Sequence, residues 1–319
     1  MEQLNQSIVR KGKSAGAKLK RWMIGVKGND GFLIRTLIYG LLIGIGFVYI
    51  YPVIFMTSFS FKSLEDLLNP LINWIPSALY MENFKQAFQV LNFFPTLLET
   101  LYVTILPAIA QTAVAAFIGY GFARFTFRLK NFLFILVMIT FIIPPQVTLI
   151  PRYLVYSELN LLGNIQAFLL PATFGQGINS AIFILIFYQF FRSIPKTLEE
   201  AALLDGAGHL RIFFTIAIPM AVPAIIISFL FSFVWYWNET YLAAIFFGDQ
   251  LTTLPLELQK FAASYQRMFP AGMDESASRL NEGIRLAGTV LSILPLLVVY
   301  FIAQKWFVEG VDRSGITGE

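Results

Sequence analysis

The side chains that most enzymes use for catalysis are scarce in this sequence. It contains no cysteine and a single histidine, His209, and no His/Asp/Glu cluster has the spacing of metal ligands. No serine lies in a nucleophile elbow. Gly12, Lys13 and Ser14 resemble the end of a phosphate-binding loop, but Ser7 stands where the first glycine is required. The sequence therefore predicts a protein that is not an enzyme and that carries no metal and no cofactor.

Aromatic and hydrogen-bonding side chains instead meet at the end of one long apolar run. Asn238 and Glu239 directly follow Trp235 and Trp237. A hydrogen-bonding pair beside flat apolar faces suits a sugar, and this pattern predicts a place on a sugar path. The alternative interpretation is an aromatic belt at a membrane surface, which needs no ligand.

A second polar group interrupts another apolar run and consists of Thr173, Gln176, Asn179 and Ser180. In a continuous helix, residues 173, 176 and 180 share one face. They either line a polar path for a solute or form hydrogen bonds between helices, and the residues alone leave both interpretations open.

An unusually polar insert, Ser193 to Pro219, separates two apolar runs and predicts a short helix. Thr197 and Glu200 have the spacing of a capping box. Glu199 favours the positive end of the helix dipole. Gly206 stops the helix, because glycine enters the left-handed conformation cheaply. From these residues alone, the insert is either a connecting hairpin with one amphipathic turn or an element with its own function.

The composition predicts that these motifs lie in a membrane protein. Hydrophobic residues make up 57% of the chain and charged residues only 13%, whereas an average soluble domain has about a quarter charged residues. Six stretches lack Asp, Glu, Lys and Arg over at least 19 residues, and about 20 residues cross a bilayer. We expect an all-α protein with a basic tail at 1–34, a membrane domain at 35–310 and a C-terminal tail at 311–319. Its six transmembrane helices are predicted at about 36–61, 97–123, 131–151, 165–191, 212–238 and 286–304.

The distribution of cations predicts the orientation of these helices. A cytoplasmic N-terminus places 16 of the 23 Lys and Arg residues on the inner side, as the positive-inside rule requires. Both termini and the polar insert are then expected in the cytoplasm. The net charge of +4 follows from this asymmetry, and no aromatic-interleaved basic stripe indicates nucleic-acid binding. The charge-free spans disfavour an ion-coupled secondary transporter, which remains the least favoured alternative.

The insert also resembles a known signature. Glu200, Ala201, Ala202, Gly206 and the run from Ile216 to Pro219 have the spacing of the EAA signature of permease subunits of ATP-binding-cassette importers. Ile218 stands where Leu is commoner in that signature. Over about residues 90 to 310, the order of segments such as FIIPPQVTLIPRYLVYSELNLLGN, WYWNETYLAAI and QKWFVEG is similar to maltose-transporter-type permeases of carbohydrate importers.

This resemblance implies a type I importer permease with a cytoplasmic coupling helix between transmembrane helices 4 and 5. It implies transport of a sugar, a di- or oligosaccharide, across the cytoplasmic membrane of a bacterium or archaeon, with amino-acid or peptide import as the alternative. The implied partners, besides the lipid bilayer, are a second homologous permease, two ATPase subunits that hydrolyse ATP, and an extracytoplasmic solute-binding protein. The residues expected to couple to the ATPases are Glu199, Glu200, Ala201, Ala202, Asp205, Gly206, Ile216 and Pro219.

Two segments depart from that family pattern. The segment between Ser264 and Gly283 is longer than usual, and it lies where docking of the binding protein is expected. The tail from residue 311 to 319, VDRSGITGE, lacks the Gly-rich ending of maltose-type members.

Overall fold

The structure is a computed structural model that describes Trp22 and residues 25–26, 29–270 and 280–313. Most of the predicted basic tail lies outside these residues, as do positions 271–279 of the long loop and 314–319 of the C-terminal tail. The chain divides into two compact units, Met1–Leu79 and Tyr80–Glu319. Among the described residues, helices dominate both units, and the one sheet is a ladder of two short strands.

The first unit contains one long apolar helix. Strands β1 (Gly25–Val26) and β2 (Asn29–Asp30) pair antiparallel. Helix α1 (Phe32–Ser60) follows and covers the first predicted span, and α2 (Leu64–Leu68) is a single short helix after it. With 29 residues, α1 is about 43 Å long at 1.5 Å per residue, which exceeds the hydrocarbon core of a bilayer.

The segment after α1 folds back on itself through polar contacts. The carboxylate of Asp66 accepts hydrogen bonds from the hydroxyl and the backbone N–H of Ser77, at 2.6 and 3.1 Å. These hydrogen bonds lower the pKa of Asp66, because they favour its charged form. The ammonium group of Lys62 donates to the carbonyl oxygens of Ile72 and Asn73. An irregular segment is thereby fixed without secondary structure of its own.

The second unit holds the rest of the helices. Those before the polar insert are α3 (Glu82–Val90), α4 (Phe93–Arg124), α5 (Lys130–Ile142), α6 (Pro145–Glu158), α7 (Gln166–Thr173) and α8 (Ser180–Ser193). The insert contains α9 (Lys196–Leu204), α10 (His209–Ile212), a π-helical segment (Phe213–Ala217) and α11 (Ile218–Met220). The chain then continues through α12 (Val222–Asn238), α13 (Tyr241–Phe247), α14 (Leu254–Met268) and α15 (Glu282–Arg313).

Helix α4 lies at the centre of this unit and packs against α7, α8 and α12. Small residues allow the close approach, since a Cβ at Gly119 would lie 2.6 Å from the Cβ of Phe187 on α8. Ala115 and Ala116 of α4 are buried in the same core cluster as Phe187. Helices in a bilayer gain little from hydrophobic burial, so close van der Waals contact of this kind stabilises their association.

Each of the three spans predicted at 131–151, 165–191 and 212–238 contains a break between helices. Prolines predict the breaks in the first and last of these spans, and only the break within 165–191 corrects the expectation of a continuous helix. The chain turns by 99° between α5 and α6 and by 76° between α11 and α12. Adjacent prolines, Pro144 and Pro145, cause the first break, because the residue before a proline is driven out of the helical region. Pro219 and Pro223 flank the second break and remove backbone donors there.

The fourth predicted span breaks between the end of α7 and the start of α8. Gly175 and Asn179 both adopt left-handed backbone conformations, with φ of +71° and 53°. Helix α8 has 14 residues, about 21 Å, which is too short for a hydrocarbon core of about 30 Å. The described residues include three helices long and apolar enough to cross a membrane, or up to six spans if each of three bent pairs is one, namely α5 with α6, α8 with α9, and α10–α11 with α12. Helix α15 continues to Arg313, beyond the predicted end of the last span.

Candidate functional site

The polar insert folds into the short helix that the sequence predicts, with a different start. Helix α9 begins at Lys196, and its N-cap is Pro195, whose side chain offers no cap hydrogen bond. The predicted capping box of Thr197 and Glu200 is therefore wrong, because the helix starts ahead of Thr197. Proline serves at this position, since its fixed φ suits the entrance of a helix.

The end of α9 forms a Schellman motif. Gly206 has φ of +82°, its N–H donates to Leu203 O at 3.0 Å, and the N–H of Ala207 donates to Ala202 O at 2.9 Å. The two bonds satisfy carbonyl groups that the helix end leaves unpaired. The predicted stop at Gly206 is confirmed.

A buried ion pair attaches α9 to the end of α4. Nε of Arg124 lies 2.7 Å from Oε1 of Glu199, and the two side chains are only 5% and 14% exposed. Arg124 also donates to the carbonyl oxygen of Ile194 at 2.9 Å. Removing one partner of a buried pair leaves an uncompensated charge, which typically costs about 3–5 kcal/mol. Glu199 thus fixes the position of the insert relative to α4, a role that its place in the first turn did not reveal.

Aromatic rings pack on the other end of the insert. Tyr120 of α4 contacts Phe191 of α8 and Phe213 of the π-helical segment, with ring centroids 5.3 and 4.9 Å apart. The ring of Phe125 meets the ring of His209 at 5.1 Å. The single histidine is therefore a packing contact of the insert.

One surface of the insert stays open. Glu200, Ala201, Asp205 and Gly206 are exposed, and Leu204 is 90% exposed. Of the other residues expected to couple, Ala202 and Ile216 are half-buried and Pro219 is exposed. Leu198 and Leu203 of α9 are exposed as well. Several exposed apolar side chains on one short helix are typical of a contact surface for another protein. We call this group, Glu200 to Gly206, the open face of α9.

A polar cavity of about 410 Å³ lies where the broken helices meet. Of the residues expected on a sugar path, Gln176, Asn179, Ser180 and Glu239 line it. Side chains that the sequence reasoning did not select also line it, among them Thr140, Gln146, Arg152 and Tyr241. A volume of this size lies in the range of about 300–1,000 Å³ typical of small-molecule sites.

A hydrogen-bond network fixes the segment that forms one wall of the cavity. Gln111 of α4 donates to Ile178 O at 2.7 Å and accepts from the hydroxyl of Tyr236 at 2.8 Å. The N–H of Ile178 in turn donates to that hydroxyl at 3.3 Å. Gly177 lies against this network, and a Cβ there would come within 2.6 Å of the Tyr236 hydroxyl oxygen. The irregular backbone is thus satisfied by side chains, as it must be inside a membrane protein.

Other residues expected on the sugar path lie elsewhere. The side chain of Trp237 is 2% exposed and packs in the core against Phe233. Trp235 packs against Phe183, with ring centroids 5.1 Å apart. The amide of Asn238 donates to Val234 O one turn back. Neither an open stacking face nor an aromatic belt describes Trp237, because its ring is buried in the hydrophobic core.

Thr173 is not among the residues that line the cavity, and its hydroxyl donates to Leu170 O at 2.7 Å. The expectation that Thr173, Gln176 and Ser180 share one helix face is wrong, because α7 ends at Thr173 and α8 begins at Ser180. Gln176 and Ser180 nevertheless reach the same cavity. They do so through the irregular segment between the helices, where helical periodicity does not apply.

The missed residue with the greatest consequence is Arg152. Its charge lies on α6, which the break at Pro144 and Pro145 turns toward the cavity. The prolines are the signal in the sequence, since a turned helix brings its own residues to the break. Glu239, the acidic residue in the cavity wall, accepts a hydrogen bond from Leu242 N at 2.8 Å.

The comparisons with known proteins agree with this architecture. The family described as "Binding-protein-dependent transport system inner membrane component" matches residues 112–313. The chain is 30% identical over 303 residues to the "Probable ABC transporter permease protein YurM" of Bacillus subtilis, covering 94% of this chain and 91% of that protein. It is 26% identical over 278 residues to the "Arabinooligosaccharides transport system permease protein AraQ" of Halalkalibacterium halodurans, covering 86% and 93%.

A solved structure extends this likeness to three dimensions. A chain from a bacterial ABC transporter involved in the import of the acidic polysaccharide alginate matches with a TM-score of 0.69 and 22% identity. The match covers 86% of this chain and 96% of that chain. The fold is thus that of a type I ABC permease. The chain belongs to the family of binding-protein-dependent transport system inner membrane components, and it is a membrane protein.

Proposed function

We propose that this chain is the translocation subunit of an ATP-driven, binding-protein-dependent importer that moves a di- or oligosaccharide across the cytoplasmic membrane. Family membership supports the importer class. Relatives named for arabinooligosaccharides and for polygalacturonan and rhamnogalacturonan support a carbohydrate as the solute. Its partners are a second permease, two ATPase subunits and an extracytoplasmic solute-binding protein.

The observation that carries this proposal is the attachment of α9. The buried ion pair between Arg124 and Glu199 fixes one side of α9 to the end of α4. Its other side, the open face of α9, presents Leu204 to a partner. A helix that is rigidly attached on one side and open on the other can pass a displacement from a partner to the long helices. We assign this role to the contact with the ATPases, with α9 and both termini in the cytoplasm.

The polar cavity is our candidate for part of the solute path. Amide, hydroxyl and charged groups line it, from Gln176, Asn179, Ser180, Glu239 and Arg152. Sugars have many hydroxyl groups that donate and accept hydrogen bonds. In such a cavity, hydrogen bonds between the protein and the sugar replace those that each makes with water. Ser180 lines the cavity, and its hydroxyl oxygen is buried without a hydrogen-bond partner among the described residues.

The test uses the transporter assembled with its partners in vesicles. ATP hydrolysis is measured with the binding protein and a panel of disaccharides, oligosaccharides, amino acids and dipeptides. We expect stimulation and uptake only with members of the carbohydrate set. Stimulation by amino acids or dipeptides alone would replace the carbohydrate assignment, and uptake that needs an ion gradient but no ATP would overturn the importer class.

The orientation is tested separately. Since the chain has no cysteine, Ser14→Cys and Ser264→Cys each give a unique site for an impermeant thiol reagent. In intact cells whose outer envelope is open or absent, only Ser264→Cys should react. Reaction of Ser14→Cys would contradict the cytoplasmic placement of the N-terminus.

A further inference from the structure

Beside α9 lies a second open cavity, of about 410 Å³, whose lining is strongly basic. Four cations line it, Arg124, Lys130, Arg192 and Lys196, together with the polar side chains of Asn131 and Tyr188. No acidic residue is among its lining residues. We call it the basic pocket.

The charges of the basic pocket are only partly compensated within the described chain. Glu199 pairs with Arg124 at 2.7 Å, which leaves Lys130, Arg192 and Lys196 as an excess of three positive charges. Lys130 donates one hydrogen bond to Phe125 O, and Arg192 donates one to the hydroxyl of Tyr188. Both partners are neutral acceptors. Like charges held this close repel one another, so an anion that enters the pocket is attracted by all three.

The structure also positions these cations. The guanidinium of Arg192 lies over the ring of Tyr188, 5.5 Å from its centroid, and Tyr188 packs against Phe134 of α5. Lys196 is the first residue of α9, next to backbone N–H groups that favour negative charge. Cations, N–H groups and a polar amide that converge on one cavity form a suitable set of donors for a phosphate group.

The surface that continues from the pocket indicates what carries the phosphate. Lys130 and Asn131 begin α5, and the residues that follow them are apolar. Phe132 and Ile135 are both 55% exposed, and no residue of α5 is buried. A phospholipid has this pattern, with an anionic headgroup and acyl chains side by side. A free phosphate or nucleotide would match the cations of the pocket but not the apolar surface that adjoins them.

We infer that the basic pocket binds the headgroup phosphate of an anionic phospholipid, whose acyl chains lie along α5. Basic pockets between transmembrane helices are known to select such headgroups. The lipid would then contact Arg124 and the start of α9, and it would support the attachment of the insert. This inference goes beyond the proposed function and does not depend on which solute is transported.

The test uses the assembled transporter in vesicles of phosphatidylcholine, with or without added phosphatidylglycerol. Lipid retained after purification is measured by native mass spectrometry. We expect phosphatidylglycerol to be retained, and we expect Arg192→Gln with Lys196→Gln to reduce its retention. Each cation near a membrane surface contributes enough for about a fivefold change in affinity, so removal of both should lower the affinity by about twenty-five-fold.

The matched control removes the same charge outside the pocket. Arg128, between α4 and α5, and Arg211, in α10, are exposed cations that do not line the pocket. Arg128→Gln with Arg211→Gln should therefore retain phosphatidylglycerol as the unchanged protein does. Size-exclusion chromatography of all variants establishes that the complex is intact, and Lys196→Gln alone serves if the double variant does not assemble.

Three results would overturn the inference. Equal retention of phosphatidylglycerol in the pocket and control variants would show that bulk charge attracts the lipid. Displacement of the bound lipid by inorganic phosphate at low concentration would assign the pocket to a soluble anion. Loss of the ATPase subunits from the pocket variants with unchanged lipid retention would assign these cations to the ATPase contact.

Discussion

The insert around α9 and the polar cavity are built in opposite ways. Contacts over a few residues form α9, and one ion pair between Arg124 and Glu199 attaches it to α4. The cavity is formed by three segments far apart in sequence, around Gln146, Gln176 and Glu239, each next to a break in a helix. The insert is therefore a local element that contacts α4 through this ion pair and through aromatic rings at its other end, whereas the cavity depends on several bends at once. We therefore expect a substitution in the insert to change only how the insert is held. A substitution near the cavity should change both the stability of the protein and its interaction with the solute.

The largest effect is expected from breaking the attachment of α9. Arg124→Ala leaves Glu199 buried without a counter-charge, at a cost of about 3–5 kcal/mol. The double replacement Arg124→Met with Glu199→Leu removes both charges and should recover most of that loss. Thermal unfolding of the purified complex and substrate-stimulated ATP hydrolysis measure the two effects. If Arg124→Ala and the double variant are equally impaired, the charge pair is not what holds α9.

The next prediction distinguishes a residue of the hydrophobic core from a residue that lines the cavity. Trp237→Ala removes a buried ring from the core and should cost about 3–5 kcal/mol of stability. Gln176→Ala changes an exposed cavity residue and should leave stability unchanged while it lowers uptake. Assembly on size-exclusion chromatography and uptake in vesicles separate the two outcomes. A Trp237→Ala complex that assembles normally but fails in uptake would restore the ring to the sugar path.

A smaller effect tests how the cavity wall is held. Gly177→Ala forces a methyl group against the Tyr236 hydroxyl and the Gln111 amide. Overpacking of this kind costs about 1–3 kcal/mol. Gly121→Ala on α4 is the control, because a Cβ there meets nothing within 4 Å. The midpoint of thermal unfolding should fall for the first variant only. Equal midpoints would mean that the cavity wall shifts at little energetic cost and that the hydrogen-bond network does not fix its position.

These two regions also differ in how far the sequence predicted them. The short helix, its stop at Gly206 and the six apolar stretches follow from local spacing and composition, which act within a few residues. The place of Arg152 and the burial of Trp237 do not, since they depend on the 99° turn between α5 and α6 and on a core formed by residues far apart in sequence. The pairing of Glu199 with Arg124 was missed for the same reason, because the partner lies 75 residues away in sequence. Prolines predict where a helix breaks, but they do not predict the direction of the next helix.

The smallest effect concerns the end of α9. Gly206→Val places a β-branched residue at φ of +82°, which costs about 1–2 kcal/mol in backbone strain. Gly208→Val is the matched control, since Gly208 has φ of −75° in the extended region and open space around it. Co-purification of the ATPase subunits should weaken for Gly206→Val alone. The same weakening in both variants would mean that the added bulk, rather than the helix end, is responsible.

Cross-linking tests most directly whether the open face of α9 contacts the ATPase subunits, as we propose. Leu204→Cys creates a unique thiol on the most exposed apolar side chain of α9. It is labelled with a photoreactive maleimide in the assembled transporter. Leu159→Cys, at the exposed end of α6, is the control. We expect light-dependent adducts with the ATPase subunits from Leu204→Cys and none from Leu159→Cys. Intact complexes in which Leu204→Cys gives no ATPase adduct would contradict the proposed contact.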